Sequence, residues 1–174
     1  MSVKGSSSVA LCVDDGAAGA KSRLVHFTLL NLTLRMMENW RSAPVPSGRP
    51  PLDTESLMIL MAIIVISAER VLRSELEREL QTLAQQLPAA RFGKVNLSSI
   101  ASATGINRET VRRRVNALQQ AGWVSRDGDG IRTVPGVIPY EDLLETIRAQ
   151  LNAFTLTVNQ LAKLGVLSAR QRHL

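Results

Sequence analysis

LSSIASATGINRETVRRRVNALQQAGWVSRDGDGIRTV, residues 97–134, decides how the chain is read. Ile100 and Ala101 place an apolar and a small residue on one face of a short helix, where a second helix must cross closely. Gly105 supplies the positive φ of a tight turn between helices, which a residue with a Cβ adopts only at a cost. Ile106 plugs that turn. Asn107 is a good N-cap for the next helix, and Glu109 in its first turn complements the helix dipole. Val111, Val115 and Leu118 recur at i, i+4, i+7, so one stripe turns inward and the opposite face is free. On the free face lie Arg108, Glu109, Arg112, Arg113 and Asn116. Gly122 ends the helix. Residues 123–126 and 131–134 then flank Asp127-Gly128-Asp129-Gly130, and Asp-Gly between two β-prone runs signals a hairpin.

The spacing of Ile100-Ala101, Gly105-Ile106, Thr110-Val111, Leu118 and Gly122-Trp123-Val124 resembles the DNA-binding domain of bacterial winged helix-turn-helix transcription regulators of the MarR-like and GntR-like kind. About 40 of the 174 residues carry the resemblance. One position departs: Arg114 stands where those families place an apolar or small residue, so it must reach solvent or meet an acid.

The resemblance implies a mechanism. The helix over residues 107–120 enters the major groove, and the wing over 124–134 lies along the backbone or dips into the minor groove. Asn107, Arg108, Thr110, Arg112, Arg113 and Asn116 are then the expected base readers or phosphate clamps, with Arg126 and Arg132 as wing contacts. The arginine fork suits guanine because it meets O6 and N7 together. Ser98 and Ser99, opening the first helix, offer hydroxyl or N–H groups to a phosphate. Between Gly105 and Val134 six arginines face Glu109, Asp127 and Asp129, a net charge of +3. An arginine run on a helix is more often a solvated face, and winged helices also dock proteins; the cap, the turn and the attached hairpin tilt the balance to DNA.

The rest of the chain fits a fold that is mainly α with a small β-wing, the winged domain being flanked by N- and C-terminal dimerisation helices. Hydrophobic residues make up 45%, enough for a sizeable core, and the net charge of +6 favours a polyanionic partner. Aromatics at 3% argue against a stacking platform for single strands. Residues 1–22 read as a disordered tail with no secretory signal. Residues 23–41 read as a helix, apolar over most of its circumference through Phe27, Leu30, Leu34 and Met37 with Leu29 and Leu32. Pro44, Pro46, Pro50 and Pro51 mark a linker. The winged domain is expected over 52–134. It opens with Asp53 as N-cap and an apolar helix too short to span a bilayer. An amphipathic stretch follows, carrying Leu72, Leu76, Leu80, Leu83 and Leu87 up to Pro88, and sequence leaves open whether it continues the apolar helix. Val95-Asn96 offers a third strand beside the wing.

Over 139–165 a last helix carries Tyr140, Leu144, Ile147, Leu151, Phe154, Val158 and Leu161 at 4-3-4-3-4-3 spacing. This is a heptad seam suited to pairing with a second copy or, as a single amphipathic helix, to packing against the core, with the 23–41 helix as the other candidate for the dimer interface. Arg170, Arg172 and His173 form a basic tail.

Double-stranded DNA and a second copy of the chain are therefore the expected partners, on a pseudo-palindromic operator. A nucleoid, replication or protein-docking scaffold using the same basic face is the alternative. A small effector is compatible with the Met- and Leu-rich helices but unspecified. No membrane partner, cofactor or metal is expected, because His26, His173 and Cys12 stand apart from any ligand spacing. No catalytic constellation is present, so no enzyme is expected. A single cysteine fits a reducing, cytoplasmic setting.

Overall fold

The computed structural model describes residues 8–46, 48–72, 81–83, 85, 91–128, 130–134 and 139–172. It is mainly helical with small antiparallel sheets, in the order β1 (Ser8–Val13), α1 (Asp15–Ala20), α2 (Ser22–Arg41), α3 (Thr54–Leu72), α4 (Leu97–Thr104), α5 (Arg108–Gln120), β2 (Val124–Asp127), β3 (Gly130–Thr133), α6 (Tyr140–Lys163) and β4 (Leu167–Arg172). Two compact units divide it. One comprises residues 40–145, and the other residues 1–39 with 146–174, so that α6 begins in the first and runs on in the second.

The 40–145 unit holds the main core. Ile59, Leu60 and Ile63 of α3 meet Ile100 of α4, Val111, Val115 and Leu118 of α5, and Trp123, Val124 and Ile131 of the hairpin; Val95 completes the cluster. Each α5 contributor falls on the stripe that its spacing dictates. The β2–β3 ladder pairs Val124 with Thr133 through Asp127 with Gly130, which leaves a two-residue connection at 128–129. The third strand expected at Val95-Asn96 is reduced to one bridge, in which Val95 and Ile131 exchange N–H to carbonyl bonds of 3.3 and 2.8 Å.

Asp53 takes the expected start of α3: its Oδ1 accepts the Ser56 N–H at 2.8 Å. The helix then passes Ser67 without a break to Leu72. The stripe positions Leu76, Leu80 and Leu87, with Pro88, lie outside the described residues.

The second unit corrects two expectations. Residues 8–13 do not form part of a disordered tail, and residues 167–172 are not a simple basic extension: they pair as the antiparallel strands β1 and β4, from Ser8 with Arg172 to Val13 with Leu167. A strand whose partner is more than 150 positions away leaves no local trace. Asp14 then caps α1, accepting the Ala17 N–H at 2.9 Å. Helices α2 and α6 run antiparallel: Lys21 Nζ donates to the Leu164 carbonyl at 2.6 Å, and Gln150 Nε2 donates to the Met36 carbonyl at 3.0 Å.

The face that α6 buries is not the heptad seam. Thr146, Ala153, Thr157 and Leu161 are its buried residues. Ile147, Leu144 and Val158 are half-buried, and Tyr140, Leu151 and Phe154 are exposed. The bulky stripe, displaced by about a quarter turn from that buried face, stays largely outside. Only Leu161 belongs to both stripes.

Ser56 and Arg114 together set a prediction. The hydrogen bond from the Ser56 N–H, aided by the Ser56 hydroxyl and the Arg114 guanidinium, holds the Asp53 carboxyl below its usual 3.8. A depressed carboxyl stabilises the fold above its unfolded value and loses that contribution as pH falls through the folded one. Asp53→Ala should therefore cost about 1 kcal/mol at neutral pH. Its difference from the wild type should shrink below about pH 4 in chemical denaturation, whereas Asp53→Asn should keep most of the cap.

Candidate nucleic-acid interface

Helix α4 opens at Asn96, whose Oδ1 accepts the Ser99 N–H at 2.9 Å and the Ser99 hydroxyl at 3.2 Å. It closes at Gly105, which sits at φ 70° and donates its N–H to the Ala101 carbonyl. Asn107 follows as the N-cap of α5, its Oδ1 accepting the Glu109 N–H at 2.9 Å. At the far end Gly122, at φ 74°, permits a Schellman closure: Trp123 N–H donates to the Leu118 carbonyl and Gly122 N–H to the Gln119 carbonyl. Both ends of α5 are thus fixed by the chain itself. Its outward face is fixed with them.

Along α5 and the hairpin the six arginines of the segment fall into distinct states. Arg108 and Arg113 are exposed, and among the described residues neither has a hydrogen-bond or ion-pair partner. Arg112 is engaged with Glu109, its Nε at 2.8 Å from Oε2 and its Nη2 at 2.5 Å from Oε1. That fork holds the Glu109 carboxyl below its ordinary value and raises Arg112. Arg126 Nη2 donates to Asn116 Oδ1 at 2.9 Å and ties β2 to α5. Arg132 lies 3.6 Å from Asp127, which also faces Lys94 at 3.9 Å.

Arg114, which by its sequence position has to reach solvent or an acid, finds acids. Its Nη1 lies 2.6 Å from Asp53 and its Nη2 2.7 Å from Glu55, so it links the middle of α5 to the start of α3. The side chain remains 30% exposed, which limits each pair to about 0.5–1 kcal/mol.

Ser98, Arg108 and Arg126 line one cleft of about 380 Å³ with Asn96, Leu97, Gly128 and Ile131. The N-terminus of α4, the N-terminal half of α5 and the hairpin therefore converge, with two cations and a hydroxyl at the rim. Ser99 differs: its hydroxyl and N–H are used in the cap. Thr110 is half-buried, and Asn107 and Asn116 serve the scaffold through their Oδ1 atoms.

Two contributors were not among the sequence candidates. Asn96 precedes an apolar residue and stands three positions before Ser99, a legible cap pattern. Arg49 had no local signal. From the proline-rich connection it donates to the carbonyls of Ala121 and Gly122 at 3.2 and 3.3 Å, and its guanidinium lies 5.5 Å from the Trp123 ring. A cation there satisfies the open carbonyls at the end of α5 and its dipole.

A second, open groove of about 440 Å³ lies within the other unit, between Leu24, Phe27, Thr28 and Asn31 of α2 and Gln160, Lys163 and Leu164 at the end of α6. Among the described residues no group of three His, Cys, Asp or Glu side chains is placed to hold a metal, and no helix is long and apolar enough to cross a membrane. No protein-family model, curated protein or solved structure matches the chain.

Arg49→Ala should cost about 1–2 kcal/mol of stability. Amide exchange should rise at the last turn of α5, around Gly122 and Trp123, while the amides at the start of α5 keep their protection.

Proposed function

We propose that the 40–145 unit is a winged helix-turn-helix module of the MarR-like and GntR-like kind, and that the protein is a homodimeric DNA-binding transcription regulator of the bacterial cytoplasm. In this reading α5 lies in the major groove, β2–β3 is the wing, and two copies read the half-sites of a pseudo-palindromic operator. The reading involves no chemical step and no cofactor.

The observation that carries it is the state of the arginines. Among the described residues Arg108 and Arg113 have no hydrogen-bond or ion-pair partner on an α5 capped at both ends, and Arg108 shares a cleft with Ser98 and the wing residue Arg126. That cleft combines a helix N-terminus, a hydroxyl and two guanidinium groups, which suits a backbone phosphate. Arg113, further along α5, is left for a base edge or the opposite strand. Arg112 is held by Glu109 and reaches DNA only by exchanging that carboxylate for a base or phosphate.

One observation favours a second reading. Arg112, Arg114 and Arg132 already meet acids of the chain, so the surface is less basic than its composition. That suits a winged-helix docking or scaffold module, for which retention on an acidic protein at moderate salt, without retention on heparin or duplex, is the distinguishing result.

Fluorescence anisotropy with a selected duplex checks the DNA reading. Arg108→Ala and Arg113→Ala should each weaken binding roughly tenfold or more and reduce the salt slope by about 1, with unfolding midpoints unchanged. Glu109→Gln should do the reverse for random duplex: affinity rises and the preference for the selected site falls, because Arg112 is released. Wild-type affinity in both arginine variants would remove α5 from the interface.

A further inference from the structure

The unit formed by residues 1–39 and 146–174 has far more apolar surface outside than inside. Its buried apolar residues are Ala153, Leu161 and Val166, whereas α2, twenty residues long, buries none of its side chains. Phe27, Leu30 and Leu34 are 58%, 48% and 69% exposed. At about 100° per residue they share one side of α2, away from the half-buried stripe Val25, Thr28, Leu32 and Met36. On α6, Leu151 and Phe154 are about half exposed.

The β1–β4 ribbon repeats the pattern. Val9, Leu11 and Val13 alternate onto one face and are 67%, 59% and 61% exposed; Leu11 and Val13 stand opposite Ala169 and Leu167 in the ladder. A two-stranded ribbon is marginal in water unless its apolar face is covered.

We propose that this surface is the seat of a second copy of the chain, with the Phe27–Leu30–Leu34 side of α2 at its centre and the ribbon face beside it, rather than the α6 heptad seam alone. The proposal rests on the regulator reading for the identity of the occupant, and on the exposed surface for its place. Nine large apolar side chains of this unit, leaving out Leu29 and Leu156, which helix geometry turns away from these stripes, are 48–69% exposed. At about 100 Å² each they offer on the order of 900 Å², and a stable interface takes about 800 Å² from each partner. The stripe carries no charge between Phe27 and Leu34, and Arg23 and Glu38 bound it one turn beyond either end. A two-fold axis matches it with itself, so that two α2 helices and two α6 segments close as a four-helix bundle. Each copy then supplies the core that the other lacks, and the recognition helices come in pairs.

Light scattering over a dilution series tests it, with hydrogen exchange read on the same samples. The expected mass is twice the 19.0 kDa of one chain. Leu30→Glu with Leu34→Glu should give the single-chain mass, with the hairpin amides as protected as in the wild type. In the wild type, α2 amides should lose protection in step with dissociation, a readout that stands even where the double variant fails to fold. A wild-type monomer at tens of micromolar, or a dimer in the double variant with native exchange, would overturn the proposal. So would a monomer that binds anionic vesicles through α2, which would assign the face to lipid. A dimer that binds no duplex at any salt would refute the regulator reading and leave this surface standing. A monomer that binds duplex would do the opposite.

Discussion

Helix α5 has to satisfy a core and leave a face to solvent with only thirteen residues. It does so because Val111, Val115 and Leu118 stay on one stripe, packed on Ile59, Ile63 and Ile100. Everything that positions the arginines follows from that stripe, since burying one side fixes the rotation of the other. The hairpin depends on it too: Trp123, Val124 and Ile131 enter the same cluster, so β2–β3 is anchored beside α5 by packing as well as by its own ladder.

Around this packing lies a set of polar contacts that fix the ends and the tilt of α5. Asn107 and the Gly122 closure define where it starts and stops, Arg49 occupies its last carbonyls, and Arg114 ties its middle to Asp53 and Glu55. The same chemistry removes charge from the surface. Half of the segment's arginines are spent on the chain's own acids, and the two in α5 without a partner among the described residues, Arg108 and Arg113, are those with most to offer a polyanion. A surface made this way is selective by subtraction, because guanidinium groups already matched to carboxylates gain less from an arbitrary phosphate.

Local patterns were legible and distant ones were not. The caps at Asp53 and Asn107, the turn at Gly105, the Asp-Gly hairpin and the core stripe of α5 each depend on residues within a few positions of one another, and each stands where the spacing placed it. The Arg114 clasp was visible as a need for an acid, without the identity of the acids. Arg49 and the β1–β4 ribbon were invisible, because their partners lie some 70 and 150 positions away and the segments themselves read as connection and tail. The α6 seam was legible only as a face that needs covering, because a heptad of bulky residues does not say by what; within one chain α6 buries Thr146, Ala153, Thr157 and Leu161.

The proposed contact between duplex DNA and the outward face of α5, with the hairpin beside it, is open to direct measurement. Titrating isotope-labelled protein with a selected duplex and following backbone amides by NMR tests it most directly. The largest shifts are expected at residues 107–116 and 124–133 and at Ser98, fading as salt rises, with the amides of α2 little changed. Shifts confined to α2, α6 and the ribbon, or none at any salt, would contradict it.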